Sequence, residues 1–175
     1  MQHRLAIAIL VTGIIECLIL VAIALAPVAE GAAGLAHPEL PGVMMGGDGA
    51  ARLADISSLG FAFQVVVLVQ CHLLIALGVG GSKTNASMLI ALTACLGVAL
   101  FVWWNLFGAY QHYLETGETG YVAGFPTATA WQVYAIWLGG LSLVALYVVG
   151  FRRFIWSEED EAQFQQLVES HKQQD

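Results

Sequence analysis

"LAIAILVTGIIECLILVAIALA", residues 5–26, is apolar throughout except at Thr12, Glu16 and Cys17. A helix needs ~20 such residues to cross a ~30 Å hydrocarbon layer. The apolar residues are continuous rather than confined to one stripe, as expected where every face of a helix meets an apolar environment. Runs of the same kind occupy 58–80, 87–110 and 130–151. The chain is accordingly 58% hydrophobic and only 11% charged. These features predict an all-α, integral membrane four-helix bundle over residues 1–156, followed by an acidic tail over 157–175.

Arg4 before the first run and the small residues of "ALAPVAEG" after it resemble a secretory signal. The apolar stretch is longer than the ~7–15 residues of a signal core, so it reads as a retained helix. The formal charge of −7 is dominated by Glu158, Glu159, Asp160, Glu161, Glu169 and Asp175, against Lys172, in the tail. Such a balance makes nucleic acid an unsuitable partner. Cys17, Cys71 and Cys95 all fall within runs and no C-x-x-C occurs, which argues against a disulfide framework or a thiol-oxidising enzyme.

Arg4, Lys83, Arg152 and Arg153 fall on one side of the predicted spans, leaving Arg52 as the basic residue of the loops 27–57 and 111–129. The positive-inside rule then predicts cytoplasmic N- and C-termini in a bacterial inner membrane. Trp103, Trp104, Tyr110, Tyr113, Trp131, Tyr134 and Trp137 gather at the outer ends of the last two runs, and Phe151, Phe154 and Trp156 mark the inner end. They read first as interfacial belts, and otherwise as a stacking site for a quinone or sterol. In the first outer loop, His37, Met44, Met45 and Asp48 are copper-compatible types without a known ligand spacing, and loop filler is the better reading. A short surface helix is expected near Ala50–Asp55. The tail segment "SEEDEAQFQQLVESHK" begins with Ser157 and Asp160 in a near capping box, so a short amphipathic cytoplasmic helix is expected there.

The polar residues inside the runs are the candidate functional groups. At ~1.5 Å of rise per residue, Glu16 lies roughly 16 Å beyond Leu5, Cys71 and His72 lie ~12–14 Å from Gly80, and Cys95 lies ~12 Å from Ser87. They are expected to form an intramembrane polar cluster, Glu16, Cys71, His72 and Cys95. Helical periodicity adds small and polar stripes: Gly60, Gln64, Cys71 and Gly78; Ala91, Cys95, Val98, Val102 and Asn105; Gln132, Ala135, Gly139 and Ser142. Gln64, Asn105 and Gln132 are expected as an outer polar patch, and Ala135, Gly139 and Ser142 as helix-packing positions.

Several chemistries compete for the cluster. Metal binding has acceptable ligand types, but adjacent Cys71 and His72 do not aim at one ion from a regular helix. Bis-histidine haem needs two histidines at one depth, whereas His112 lies past the outer end of its run. A buried carboxylate often marks a transport path, yet no inverted repeat is visible. No nucleophile, base and acid converge by spacing, so a non-enzymatic chain without cofactor or metal is expected. Glu16 then serves as an assembly contact, protonated or hydrogen-bonded to His72 or to a partner chain.

The stretch "GFPTATAWQVYAIWLGGLSLVALYVVGFRRF", Gly124 to Phe154, resembles the last segment of small bacterial membrane subunits that accompany sodium:solute symporters. The likeness rests on the turn at Gly124, Phe125 and Pro126, the aromatics Trp131, Tyr134 and Trp137, and the flank Arg152–Arg153. Those subunits usually have two spans where this chain has four. The resemblance implies a larger transporter as partner and transfers no functional residue. The expected function is a non-catalytic accessory subunit of a larger inner-membrane complex, best a solute transporter. The alternatives are a small subunit of a redox complex contributing to a quinone or cofactor site, and an independent ion or small-molecule carrier.

Overall fold

A computed structural model of the chain describes residues 2–29, 34–46, 49–79 and 86–172. Glu30, Asp48, Gly80, Lys83 and Asp175, which the sequence reading invokes, lie outside the described residues. Among the described residues four helices are long and apolar enough to cross a membrane: α1 (Gln2–Leu25), α3 (Ser57–Val79), α4 (Ala86–Thr116) and the helix running from Thr127 to Ile155. The class is all-α, as expected, and the helices are compatible with residence in a lipid bilayer.

The third span is longer than its apolar run. At ~1.5 Å per residue it extends beyond a ~30 Å hydrocarbon layer, so Tyr110 to Thr116 project past the core. It ends where Gly117, at φ +71°, takes the left-handed conformation and donates its N–H to Tyr113 O at 2.8 Å. Only glycine adopts that conformation without a Cβ penalty, which is why the helix stops there.

The fourth span begins after Pro126, whose fixed φ of −52° leads into helix α5 (Thr127–Ala130). A π-helical turn (Trp131–Ala135) joins it to α6 (Ile136–Gly150), and a second (Phe151–Ile155) ends it. The first π turn has a packing consequence. Ala130 and Ala135 are five residues apart and both buried, which a widened turn brings onto one side of the helix. From Ala135 the inward stripe continues through Gly139, Ser142, Leu146 and Gly150 at ordinary α spacing.

Packing follows chain order: α1 lies along α3, α3 against α4, and α4 against α5 and α6. The central helix is α4, whose buried Met88, Leu92, Cys95 and Val102 form one stripe. This differs from the expected stripe of Ala91, Cys95, Val98, Val102 and Asn105, since Val98 is exposed. In contrast α1 buries no residue. Among its half-buried positions Leu5, Ile9, Thr12, Glu16, Ile19 and Ile23 alternate steps of four and three, a seam turned to α3 that Ala8 and Gly13 widen.

Between the first two spans, strands β1 (Leu35–Ala36) and β2 (Met44–Met45) form a small antiparallel hairpin, followed by helix α2 (Gly49–Leu53). Before the fourth span, β3 (Tyr121–Val122) pairs with β4 (Phe125–Pro126) across Ala123 and Gly124, both at positive φ. The turn is therefore centred one residue earlier than Gly124–Phe125–Pro126. Two consecutive positive φ values match the right-handed twist of the strands they join.

After Trp156 the chain enters α7 (Glu158–Lys172) through a closed capping box. Asp160 Oδ2 accepts the Ser157 N–H at 2.8 Å, and Ser157 Oγ accepts the Asp160 N–H at 3.3 Å. The ring of Phe164 meets Trp156 edge-on at 6.0 Å, and Arg152 pairs with Glu161. These contacts hold the acidic helix at the end of the fourth span.

Candidate functional site

Inside a bilayer every polar group has to find a partner within the protein. Most of the intramembrane side chains do so on their own helix. Thr12 donates to Ile9 O, Thr93 to Leu89 O, Asn105 to Phe101 O and Ser142 to Gly139 O, all at 2.7–2.9 Å. Trp103 instead crosses to α3 and donates its indole N–H to Phe61 O at 3.3 Å, inside a cluster of Phe61, Trp103, Trp104 and Phe107. Among the described residues, two buried side-chain atoms are left without a hydrogen-bond partner: Gln70 Oε1 and His72 Nε2. Both belong to α3.

The four residues of the expected cluster separate. Cys71 and His72 are neighbours on a helix, so they point about 100° apart, and His72 is the one turned inward. His72 is buried, whereas Cys71 is exposed, as are Gly60 and Gly78 on the same stripe. At Cys71 and Gly78 the stripe lies on the outer face of α3, whereas Gly60 borders a cavity that Ile23 of α1 also lines. Cys95 is buried against α6, where its thiol donates to Ser142 O at 3.5 Å. That is a weak hydrogen bond, and it marks close helix contact more than chemistry.

Glu16 faces α3 and is half-buried. Its level is fixed by neighbours along the seam. Leu5 shares a cavity with Val69, His72 and Ala76, while Ile23 shares another with Leu53, Gly60 and Phe61. Between them, Gln70 Oε1 lies 3.9 Å from where a Cβ on Gly13 would stand. The two helices therefore run antiparallel, and Glu16, roughly 16 Å beyond Leu5, lies toward Gln64 rather than beside His72. Among the described residues no hydrogen bond or ion pair joins Glu16 to His72. Depth counted from run ends misses this because each helix enters the bilayer at its own offset.

The outer patch is not a connected site either. Gln64 is half-buried, Asn105 is bonded to its own helix and Gln132 is exposed; no hydrogen bond joins them among the described residues. Ala135 and Gly139 are buried against α4, and a Cβ on Gly139 would lie 3.6 Å from Ala99 Cα. Ser142 is half-buried beside Cys95. Small residues on this stripe let two backbones approach closely, the usual basis of helix association in lipid.

In the first loop, His37 Nδ1 accepts the N–H groups of Glu39 and Leu40, each at 3.1 Å, and so braces its own turn. Met44 and Met45 are exposed on β2. Among the described residues no group of three or more His, Cys, Asp or Glu is arranged to hold a metal ion. The group with open coordination chemistry is instead His72, facing a cavity of about 130 Å³ among α1, α3 and α4. Gln70 and Thr93, which flank this region, were not singled out by sequence. Gln70 was legible as a polar residue within an apolar run, next to Cys71 and His72.

No protein-family model, curated protein or solved structure matches the chain.

Proposed function

We propose that this protein is a non-catalytic accessory subunit of a larger integral membrane complex, a solute transporter being the best fit, and that α1 is its contact. The observation that carries this reading is the exposed flank of α1 beside its seam with α3. Leu10, Ile14, Cys17, Leu18 and Val21 are exposed there and, with the seam residues Ile9 and Gly13 at the edge, line a shallow apolar groove. Gly13 and Cys17 make a small-x-x-x-small pair at that edge, the pattern that lets a second transmembrane helix approach. The helix that carries it has no buried residue of its own, so its place in the fold depends on one side only. The resemblance of Gly124–Phe154 to symporter-associated subunits is the reason for choosing a transporter. Cytoplasmic termini in a bacterial inner membrane, argued from Arg4, Lys83, Arg152 and Arg153, belong to the same proposal.

The test is cross-linking from the exposed Cys17 in native membranes. The expected product joins this chain to one larger integral membrane protein, and Cys71→Ser leaves it intact. Cys17→Trp, which fills the groove, is expected to abolish co-purification of that protein while leaving the melting of the free chain unchanged. A product consisting of two copies of this chain overturns the proposal. So does a single purified species that transports solute in liposomes.

A further inference from the structure

His72 is 6% exposed, and its Nδ1 lies 2.7 Å from Leu68 O. A carbonyl oxygen only accepts, so Nδ1 carries the hydrogen of that bond, and in the neutral ring Nε2 is left with a lone pair. Nε2 is buried and has no partner among the described residues. His72 lines a half-open cavity together with Leu5, Val69, Leu73, Leu89, Leu92 and Leu96. Thr93, the other polar side chain there, already donates its hydroxyl hydrogen to Leu89 O. The polar atoms left over at this cavity accept hydrogen bonds and none donates one. What the site lacks is a donor.

Two features narrow the donor's chemistry. A water is held in a buried site by two to four polar partners, whereas an aliphatic cavity of about 150 Å³ stays dry and takes benzene. At about 130 Å³, this cavity has room for one six-membered ring and one strong acceptor at its edge. Adjacent Cys71 is exposed on another face and adds no second ligand, and among the described residues no group of metal ligands includes His72. We infer that His72 Nε2 accepts the hydroxyl hydrogen of a phenolic ring seated among α1, α3 and α4. A membrane quinol head group and a free phenol both carry that chemistry. The inference is independent of the subunit reading, which rests on the groove along Ile14, Cys17 and Val21.

The full chain, reconstituted in nanodiscs with ¹⁵N-labelled histidine rings, gives a direct readout. The His72 resonances, assigned by their loss in His72→Gln, are expected to show hydrogen on Nδ1 and a free lone pair on Nε2. Phenol is expected to shift the Nε2 signal saturably. Anisole, of similar shape without the hydroxyl hydrogen, is expected to bind about three- to tenfold more weakly, the range for one net hydrogen bond. His72→Gln, which keeps an acceptor near the same place, is expected to retain the preference for phenol over anisole by tritium-ligand binding, and His72→Leu to lose it. Saturation by decylubiquinol below the phenol concentration assigns the ring to a quinol; a response to phenol alone assigns it to a free phenol. An Nε2 signal that neither compound moves overturns the inference, as does equal affinity for phenol and anisole.

Discussion

The α4–α6 contact and the α1–α3 contact use opposite means. Along the fourth span, Ala135, Gly139 and Ser142 bring the backbone against α4, where Ala99 and Cys95 meet them; three of these five residues are buried. Along α1 the seam is as long as the span, yet every residue on it is at most half-buried, and it carries Thr12 and Glu16. Lipid tails are as apolar as leucine, so area alone drives neither contact; close van der Waals packing and polar bonds do. Both pairs bring their backbones close. The first buries small residues, whereas the second carries polar groups, one of which, Gln70 Oε1, has no partner among the described residues. Burial is thus concentrated in the last two spans, and α1 is packed along one face only.

The contrast is broken most forcefully at Gly139. A Cβ there meets Ala99 at ordinary contact distance, but any longer side chain has to displace the α4 backbone. Gly139→Leu is expected to destabilise the α4–α6 pair by about 1–3 kcal/mol or more, the usual cost of overpacking, seen as a lower melting temperature in detergent. Gly139→Ala is expected to change it little. If Leu and Ala behave alike, the two backbones are not in close contact. A comparable loss is expected for Gly150→Ala, because the added Cβ would lie 2.6 Å from Cδ2 of buried Phe154. Moving that ring opens the inner cavity of about 190 Å³ lined by Ile75, Met88 and Leu146. Leu substituted at Cys17, on the exposed face of α1, is expected to leave melting of the free chain unchanged, which sharpens the difference between the two contacts.

Sequence discloses the spans because length and apolarity are local properties: a continuous run either reaches across the hydrocarbon layer or does not. It discloses the small stripe of α6 for a related reason, since Ala135, Gly139 and Ser142 repeat at helical spacing. What it does not disclose is rotation and offset. Periodicity states that Gly60, Gln64, Cys71 and Gly78 share a face, but small residues suit a lipid-facing side as well as a contact, and here Cys71 faces out. Offset matters equally for Glu16, whose level depends on how far α1 slides along α3. The two π turns of the fourth span are not legible either, although the first brings Ala130 and Ala135, five residues apart, onto one side of the helix. His72 was singled out by its chemistry, but its lone pair became visible only with the bond from Nδ1 to Leu68 O.

Smaller effects are expected at the tail, which tests what holds α7 to the fourth span. Ser157→Ala removes the acceptor for the Asp160 N–H and half of the capping box. A lost N-cap costs ~1 kcal/mol, so α7 is expected to fray, with faster amide exchange over Glu158–Glu161 and unchanged exchange in α4. Slowed or unaltered exchange at those amides would show that Trp156 and Phe164, in edge contact at 6.0 Å, hold the helix without its cap. The smallest effect is expected for Arg152→Gln. Its partner Glu161 lies on the same exposed surface, with side chains 63% and 41% accessible, and solvent screens such a pair. No change in melting and a slight salt dependence of α7 docking are the expected results. A large loss on this substitution would mean that the tail is anchored by charge, and that the acidic helix depends on the Arg152–Arg153 flank more than on its aromatic contact.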